Sequence, residues 1–150
     1  MPAASERSAQ PIETADPAET EAVGSRVGAG LGPGDVVLVA GDLGAGKTTF
    51  VRGACRALGV TGPVTSPTFV LGQLYQGTDL AVAHLDLFRL AGMDDEAPGL
   101  LDDYLGPDRV VFVEWPGRSG QALADATVQV SIEHLGADRR QIRIAGHPAR

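Results

Sequence analysis

The segment from Val36 to Phe50 combines glycines, a lysine and threonine hydroxyls in an order that can hold phosphate groups. Residues Gly41 to Thr48 fit the pattern G-x-x-x-x-G-K-[ST], between an apolar run and a helical pattern, which is the context this motif requires. Glycines let the backbone approach phosphate oxygens, and N–H groups at the start of the helix point towards them. Lys47 is therefore predicted to reach the β- and γ-phosphates of a nucleotide, and the Thr48 hydroxyl to bind Mg²⁺.

The alternative is that these glycines form only a turn, and the use of lysine in this chain argues against it. The chain has 12 basic residues, and Lys47 is the only lysine among them; all the others are arginines. A planar guanidinium does not replace a slim ammonium inside a phosphate loop. The predicted loop comprises Gly41, Asp42, Leu43, Gly44, Ala45, Gly46, Lys47 and Thr48.

Two carboxylates are candidates for the metal and for the attacking water. The apolar run Val110 to Val113 ends at Glu114, which is predicted to hold Mg²⁺, directly or through water, or to orient the attacking water. An ordinary carboxylate at the end of a strand is the alternative. His84 and Asp86 are two apart on a predicted strand and so share a face. Asp86 is the second candidate, whereas His84 is expected to be a partly buried imidazole with its hydrogen bonds satisfied.

Further residues are candidates for a switch or for contact with a partner. Pro67 restricts Ser66 to an extended backbone, so the hydroxyls of Ser66 and Thr68 are placed to sense the γ-phosphate or the metal, unless they form a simple turn. Trp115 follows Glu114 directly. Two interpretations are equally favoured: it senses closure or contacts a partner, or it is a core residue.

The class of nucleotide follows from what the chain lacks. The Asn-Lys-x-Asp element that reads GTP needs a second lysine, so ATP is favoured.

A small-molecule kinase needs an arginine-bearing lid, yet the segment between Phe88 and Val110 has arginines only at its ends, Arg89 and Arg109. Arg89 is kept as a partner-facing candidate. A kinase and a nucleotide-gated binding module without enzymatic function remain the alternatives to an ATPase.

The elements that position these residues predict an α/β fold: a single-domain phosphate-loop NTPase core whose mixed, mostly parallel sheet is flanked by helices. Asp16 or Thr20 is expected to cap the first helix. Residues 1–15 are predicted to be a flexible tail, 16–146 the domain and 147–150 a second tail. The predicted helices are 18–31, 50–58 and 98–105, and the predicted strands are 36–40, 69–75, 80–88, 110–113, 127–134 and 141–145.

The composition is that of a globular domain, with 43% hydrophobic and 21% charged residues. One cysteine excludes an internal disulfide, and its helical spacing predicts that Cys55 lies in the core. No apolar run approaches the roughly 20 residues that span a bilayer, and the first residues lack an apolar signal core, so a cytoplasmic location is expected. With a net charge of −7, any nucleic acid is expected to be held by a partner.

Four segments in order, GDLGAGKTTFVRG, SPTFVL, HLDLFRL and VEWP, resemble the TsaE (YjeE) family of bacterial ATPases from about Asp16 to Ile144. The resemblance implies a phosphate-loop fold and Mg²⁺-dependent ATP hydrolysis. It also implies a role in forming threonylcarbamoyladenosine in tRNA, beside the TsaD and TsaB proteins and without transferring the group itself. Contact with tRNA is then indirect, through that complex.

Matching positions imply the roles of individual residues. Thr48 and Glu114 correspond to metal ligands, Asp86 and Trp115 to residues needed for activity, and Thr20 to a position near the nucleotide. The ATP loop extends to Thr49, and Glu114, Asp86 and Lys47 are expected to take part in catalysis. The chain departs from the family at Phe88, where tyrosine is usual, and at Leu100, which stands in place of a common glycine while Gly99 lies one position earlier.

Overall fold

The computed structural model describes residues 11–41, 46–65, 72–86, 106–116 and 126–146, with only the backbone of 115 and 116. These residues form seven strands and two helices. In chain order they are β1 (Ile12–Thr14), α1 (Pro17–Ala29), β2 (Val36–Gly41), α2 (Lys47–Ala57), β3 (Gly72–Gln76), β4 (Ala81–Asp86), β5 (Arg109–Pro116), β6 (Val128–Gly136) and β7 (Arg139–Gly146). The predicted helix 98–105 lies outside the described residues.

All seven strands belong to one sheet with the order β1-β7-β6-β2-β5-β4-β3. The central strands β6, β2, β5 and β4 are parallel to one another. Antiparallel partners extend the sheet at both sides, because β3 pairs with β4, β7 with β6 and β1 with β7. The predicted α/β class with a mixed sheet is confirmed.

The core lies between one face of this sheet and the two helices. Side chains of α2, including Phe50 and Val51, pack with alternate residues of the central strands, such as Val39 and Phe112. On the opposite face of the same strands, Leu38, Ala83, Leu85, Val111 and Val113 are buried as well. The continuous apolar runs of β2 and β5 are thus explained, since strands buried on both faces need no polar alternation.

Helix α1 begins at Asp16, which decides between the two predicted caps. The Asp16 side chain accepts a hydrogen bond from the Glu19 backbone N–H at 2.9 Å. Glu19 Oε1 in turn accepts one from the Ala15 N–H at 2.7 Å, a reciprocal arrangement that satisfies two N–H groups at the start of the helix. Thr20 therefore lies inside α1 and is buried rather than being a cap.

Strand β1 corrects the prediction of a tail over residues 1–15, which was wrong for residues 12–14. These three residues pair antiparallel with β7, Ile12 opposite Ile142 and Thr14 opposite Arg140. A strand this short has little local signal, and its partner lies at the other end of the chain. Its pairing could not be read from local periodicity, which is the signal that a sequence offers.

Cys55 lies in the core, as its helical spacing predicts. Its side chain is fully buried on α2, and burial raises the pKa of the thiol to about 12. The raised pKa keeps the group a neutral thiol, because a buried thiolate lacks the solvation that it has in water. Cys55 is therefore a packing residue.

Helices α1 and α2 cross at close range because glycines line their contact. A Cβ added at Gly24 would lie 2.1 Å from the Phe50 carbonyl oxygen, and one at Gly53 would lie 1.9 Å from the Glu21 carbonyl oxygen. No side chain fits at either position without moving backbone.

Among the described residues, no helix combines the length and the apolar character needed to cross a membrane.

Replacement of Gly53 by alanine tests this contact. The backbone clash is expected to cost about 3 kcal/mol, at the upper end for overpacking, whereas alanine adds roughly 1 kcal/mol of helix propensity. The free energy of unfolding in urea should fall by about 2 kcal/mol. Gly62→Ala is the matched control, since nothing lies within 4 Å of its added Cβ. A Gly53→Ala protein as stable as the control would contradict the close crossing.

Candidate functional site

The predicted phosphate loop joins the end of β2 to the start of α2. Gly46 precedes the helix with φ 102°, a left-handed conformation that glycine adopts without strain, and its carbonyl accepts the Phe50 N–H. Lys47 is 8% exposed, and its Nζ donates to the Gly41 carbonyl oxygen at 2.5 Å. The lysine side chain therefore spans the loop from its helical end back to its strand end.

Thr48 and Glu114 meet beside this loop. The Thr48 hydroxyl, in the first turn of α2, donates to Glu114 Oε2 at 2.9 Å. Glu114 lies near the end of β5, opposite Val39 of β2, and is 3% exposed. Parallel strands end at the same edge of the sheet, so the carboxylate on β5 comes next to the helix that follows β2. The structure thus brings together two residues that were predicted to share a metal.

His84 is a second partner of the same carboxylate. Its Nε2 lies 2.5 Å from Glu114 Oε2, and its side chain is fully buried. Nδ1 is buried without a hydrogen-bond partner in the part of the chain that the structure describes. The expectation of a partly buried imidazole is therefore wrong, because His84 is fully buried. Of the expected hydrogen bonds, the described residues provide the one at Nε2. Sequence reasoning noted that His84 shares a face with Asp86 but had no signal for its contact with Glu114.

The Tyr75 ring lies beside His84, with ring centroids 6.3 Å apart and planes inclined by 35°. Its hydroxyl donates to Gln73 Oε1 at 2.5 Å. Burial raises the pKa of Tyr75, an effect that a backbone hydrogen bond with Thr65 opposes. Tyr75 therefore remains a neutral phenol that packs behind the imidazole.

Asp86 is the register partner of Glu114 on the neighbouring strand β4. It is partly exposed and lies on the same face of the sheet as His84. No set of three or more His, Cys, Asp or Glu side chains among the described residues could hold a metal ion. The donors that do meet, a hydroxyl and a carboxylate, are hard oxygen ligands of the type that Mg²⁺ shares with phosphate groups. The residues present therefore fit Mg²⁺ bound together with a nucleotide.

Thr20 and Arg140 lie beside Gly46, the residue that precedes α2. A Cβ built on Gly46 would lie 3.4 Å from Arg140 Nε and 3.9 Å from Thr20 Cγ2. The Thr20 hydroxyl is hydrogen-bonded to that of Thr14 on β1, with 2.7 Å between the oxygens. Arg140 was not predicted, because its place beside Gly46 depends on strand pairing in the sheet, where it lies opposite His134 of β6 and Thr14 of β1. Its NH1 group donates to the Ala137 and Arg139 carbonyl oxygens, both at 3.0 Å.

The structure describes the remaining predicted residues only in part or not at all. Thr49 lies in the first turn of α2 and is partly buried. The backbone of Trp115 belongs to β5, but its side chain is not described. The remaining predicted residues lie outside the described ranges: Asp42, Leu43, Gly44, Ala45, Ser66, Thr68 and Arg89.

Comparison with known proteins identifies the family. The family model described as "Threonylcarbamoyl adenosine biosynthesis protein TsaE" matches residues 14–142, which contain every residue of the site described above. The chain belongs to the TsaE family. A relative from Bacillus subtilis (strain 168), named tRNA threonylcarbamoyladenosine biosynthesis protein TsaE, is 40% identical over 130 residues, covering 86% of this chain and 80% of its own.

Other relatives agree with this assignment. The protein of the same name from Streptomyces coelicolor is 38% identical, over 77% of this chain and 80% of its own. The crystal structure of YdiB from Bacillus subtilis superposes with a TM-score of 0.66 at 33% sequence identity and covers 91% of this chain and 84% of its own. The resemblance stated from the four sequence segments is therefore confirmed at the level of family and of fold.

Proposed function

We propose that this TsaE-family chain is a Mg²⁺-dependent ATPase that supports formation of threonylcarbamoyladenosine in tRNA. The hydrogen bond of 2.9 Å between Thr48 and Glu114 is the observation that carries the proposal. It brings a carboxylate from a second strand to the helix start where Lys47 lies, which is the arrangement that a phosphate-loop hydrolase needs for its metal and its nucleotide. The names of the relatives support the biosynthetic role.

ATP binding rests on three features of the loop. The N-terminus of α2 supplies N–H groups and a positive potential for phosphate oxygens. Gly46 has no side chain to block their approach. Lys47 Nζ, which now donates to the Gly41 carbonyl, needs only to turn within the loop to donate to the β- and γ-phosphates. The contact of the ammonium with Gly41, at the end of β2, supports this role for Lys47.

Thr48 and Glu114 would hold Mg²⁺, with phosphate oxygens completing its ligands. When bound, the ion supplies positive charge that offsets the charge of the β- and γ-phosphates during transfer. Glu114, and Asp86 beside it on β4, are the carboxylates placed to orient a water molecule towards the γ-phosphorus. Attack of that water breaks the bond to the β-phosphate oxygen and yields ADP and phosphate.

The partners proposed for this chain are TsaD and TsaB type proteins, and tRNA is reached only through them. With a net charge of −7, the chain has no general attraction for a polyanion. Slow hydrolysis by the isolated chain and faster hydrolysis in the complex are expected, since a single small domain has few groups with which to enclose the attacking water. We place this activity in the cytoplasm, where tRNA is modified.

Lys47→Ala tests the nucleotide site. Loss of the ammonium should weaken ATP binding by at least about tenfold, because a hydrogen bond to a charged group contributes roughly 1.5–3 kcal/mol. Isothermal titration calorimetry with ATP measures this directly. Arg52→Ala removes a cation from the same helix, one that forms a half-exposed ion pair with Glu21 at 3.8 Å, and should leave the affinity unchanged. Equal affinities of the two variants would remove the loop as the binding site.

Arg140→Ala tests the contribution of a residue beside Gly46 that the sequence did not predict. Its guanidinium adjoins Gly46, so ATP affinity should fall by about three- to tenfold, as is typical for one charged contact at a partly exposed site. The neighbouring Arg139 is paired with Glu13 at the surface, and Arg139→Ala should bind ATP normally. If both substitutions have the same effect, the change reflects overall charge and not a contact with the nucleotide.

Glu114→Gln tests the catalytic assignment and the biosynthetic one together. ATP should still bind, but turnover should fall at least about 100-fold, since the charge that holds metal and water is lost. Phosphate release is measured with the chain alone and with purified TsaD, TsaB and tRNA. Glu133→Gln, at an exposed position on β6, is the control. Undiminished turnover by Glu114→Gln, or hydrolysis by the native chain that the complex does not change, would contradict the respective half of the proposal.

A further inference from the structure

His84 is a fully buried polar residue that the proposed reaction does not itself use. Its Nε2 lies 2.5 Å from Glu114 Oε2, the same oxygen that accepts the Thr48 hydroxyl at 2.9 Å. One carboxylate oxygen thus receives hydrogen bonds from two elements, β4 and α2. Of these two hydrogen bonds, the one with His84 comes from a strand of the sheet, β4, and the one with Thr48 comes from helix α2.

The register of the strands shows that this contact is specific to the side chains. Glu114 lies opposite Asp86, while His84 lies opposite Phe112. The carboxylate therefore turns back from its own strand position towards the buried imidazole. His84 draws the Glu114 side chain over the core face, where Thr48 reaches it.

The direction of the hydrogen bond follows from the chemistry of the two groups. An ionised carboxylate has no proton to give, so Nε2–H donates and Oε2 accepts. Nδ1 is left buried without a hydrogen-bond partner among the described residues. Burying an imidazole with one nitrogen unpaired is unfavourable for stability compared with an apolar side chain of similar size. A residue kept for packing alone gains nothing from this arrangement.

We propose that His84 is a positioning residue that holds Glu114 in the one rotamer that serves the metal site. The inference rests on the proposed function, in which Glu114 and Thr48 hold Mg²⁺. A free glutamate side chain samples many rotamers, and the hydrogen bond from a rigid, buried ring removes that freedom before the metal arrives. The Tyr75 ring, 6.3 Å away, limits the movement of the imidazole from behind.

The matched pair His84→Gln and His84→Asn separates positioning from packing. The side-chain nitrogen of glutamine can occupy the place of Nε2, whereas that of asparagine reaches only as far as Nδ1. His84→Leu removes both ring nitrogens and keeps an apolar side chain in the core. Glutamine should restore the function of His84, while asparagine and leucine should not.

The readout is the dependence of nucleotide binding on Mg²⁺, measured by calorimetric titration of ATP at a series of Mg²⁺ concentrations. We expect half-saturating Mg²⁺ to rise about tenfold in His84→Asn and His84→Leu and less than about threefold in His84→Gln. ATP affinity without metal should be unchanged in all three. In steady-state assays kcat should fall with the rise in Mg²⁺ requirement, and KM for ATP at saturating Mg²⁺ should stay near its native value.

Two controls make the outcome decisive. His134→Leu replaces an exposed histidine whose Nε2 contacts the Ala137 carbonyl, and should behave as the native chain. Because His84 is held to act only through Glu114, His84→Leu combined with Glu114→Gln should be no worse than Glu114→Gln alone. Thermal unfolding of each variant reports whether it folds.

Native Mg²⁺ dependence in a folded His84→Leu protein would overturn the inference. So would a loss in His84→Gln equal to that in His84→Leu, which would show that the ring serves packing. Additive effects in the double variant would equally exclude action through Glu114. If Glu114→Gln itself binds Mg²⁺ and turns over ATP normally, the proposed function fails instead, so the two failures are distinguishable.

Discussion

The parallel pairing of β2 with β5 determines where the candidate site of this protein lies. Val39 is opposite Glu114, and β2 ends at Gly41, where the phosphate loop begins. The loop returns the chain into α2, so that Thr48 comes over the end of β5 and meets the carboxylate. A slip of one residue in this pairing would turn Glu114 to the opposite face of the sheet, away from α2. The motif alone does not create the site, since it depends on this register.

Burial of both faces of the central strands specifies their register, and it also means that any polar side chain there is removed from water. Val37 and Val39 pack on the helical side of β2, and Leu38 is buried on the other side. Within this apolar layer, the contact between His84 and Glu114 reduces the cost of burying both groups, because an unpaired polar group costs free energy when it is removed from water. Their hydrogen bond therefore satisfies a requirement of the core and fixes a group at its edge. Rigidity of the site is a consequence of where these residues are buried.

The sequence predicted the parts of this arrangement that have local signals. The loop motif has a fixed spacing, β2 and β5 are continuous apolar runs, and Glu114 ends the second of them. Their meeting followed from the rule that parallel strands end at one edge of a sheet. By contrast, the contact of His84 with Glu114 depends on a side-chain rotamer. Arg140 comes beside Gly46 through the position of β7 between β6 and β1, and no local pattern encodes the pairing of β7 with β1.

Helix α1 connects this long-range pairing to the loop. Gly24 and Gly53 allow α1 to lie against the backbone of α2, so Thr20, one turn before Gly24, comes beside Gly46. The Thr20 hydroxyl is hydrogen-bonded to that of Thr14 on β1, and Thr14 lies opposite Arg140 of β7. Larger side chains at the crossing would push α1 outwards and withdraw Thr20 from the loop without altering any residue of the motif. The glycines of the two helices thus affect the candidate site only by setting the distance between α1 and α2, and the surroundings of Gly46 include residues from segments near both ends of the described chain, Thr20 and Arg140.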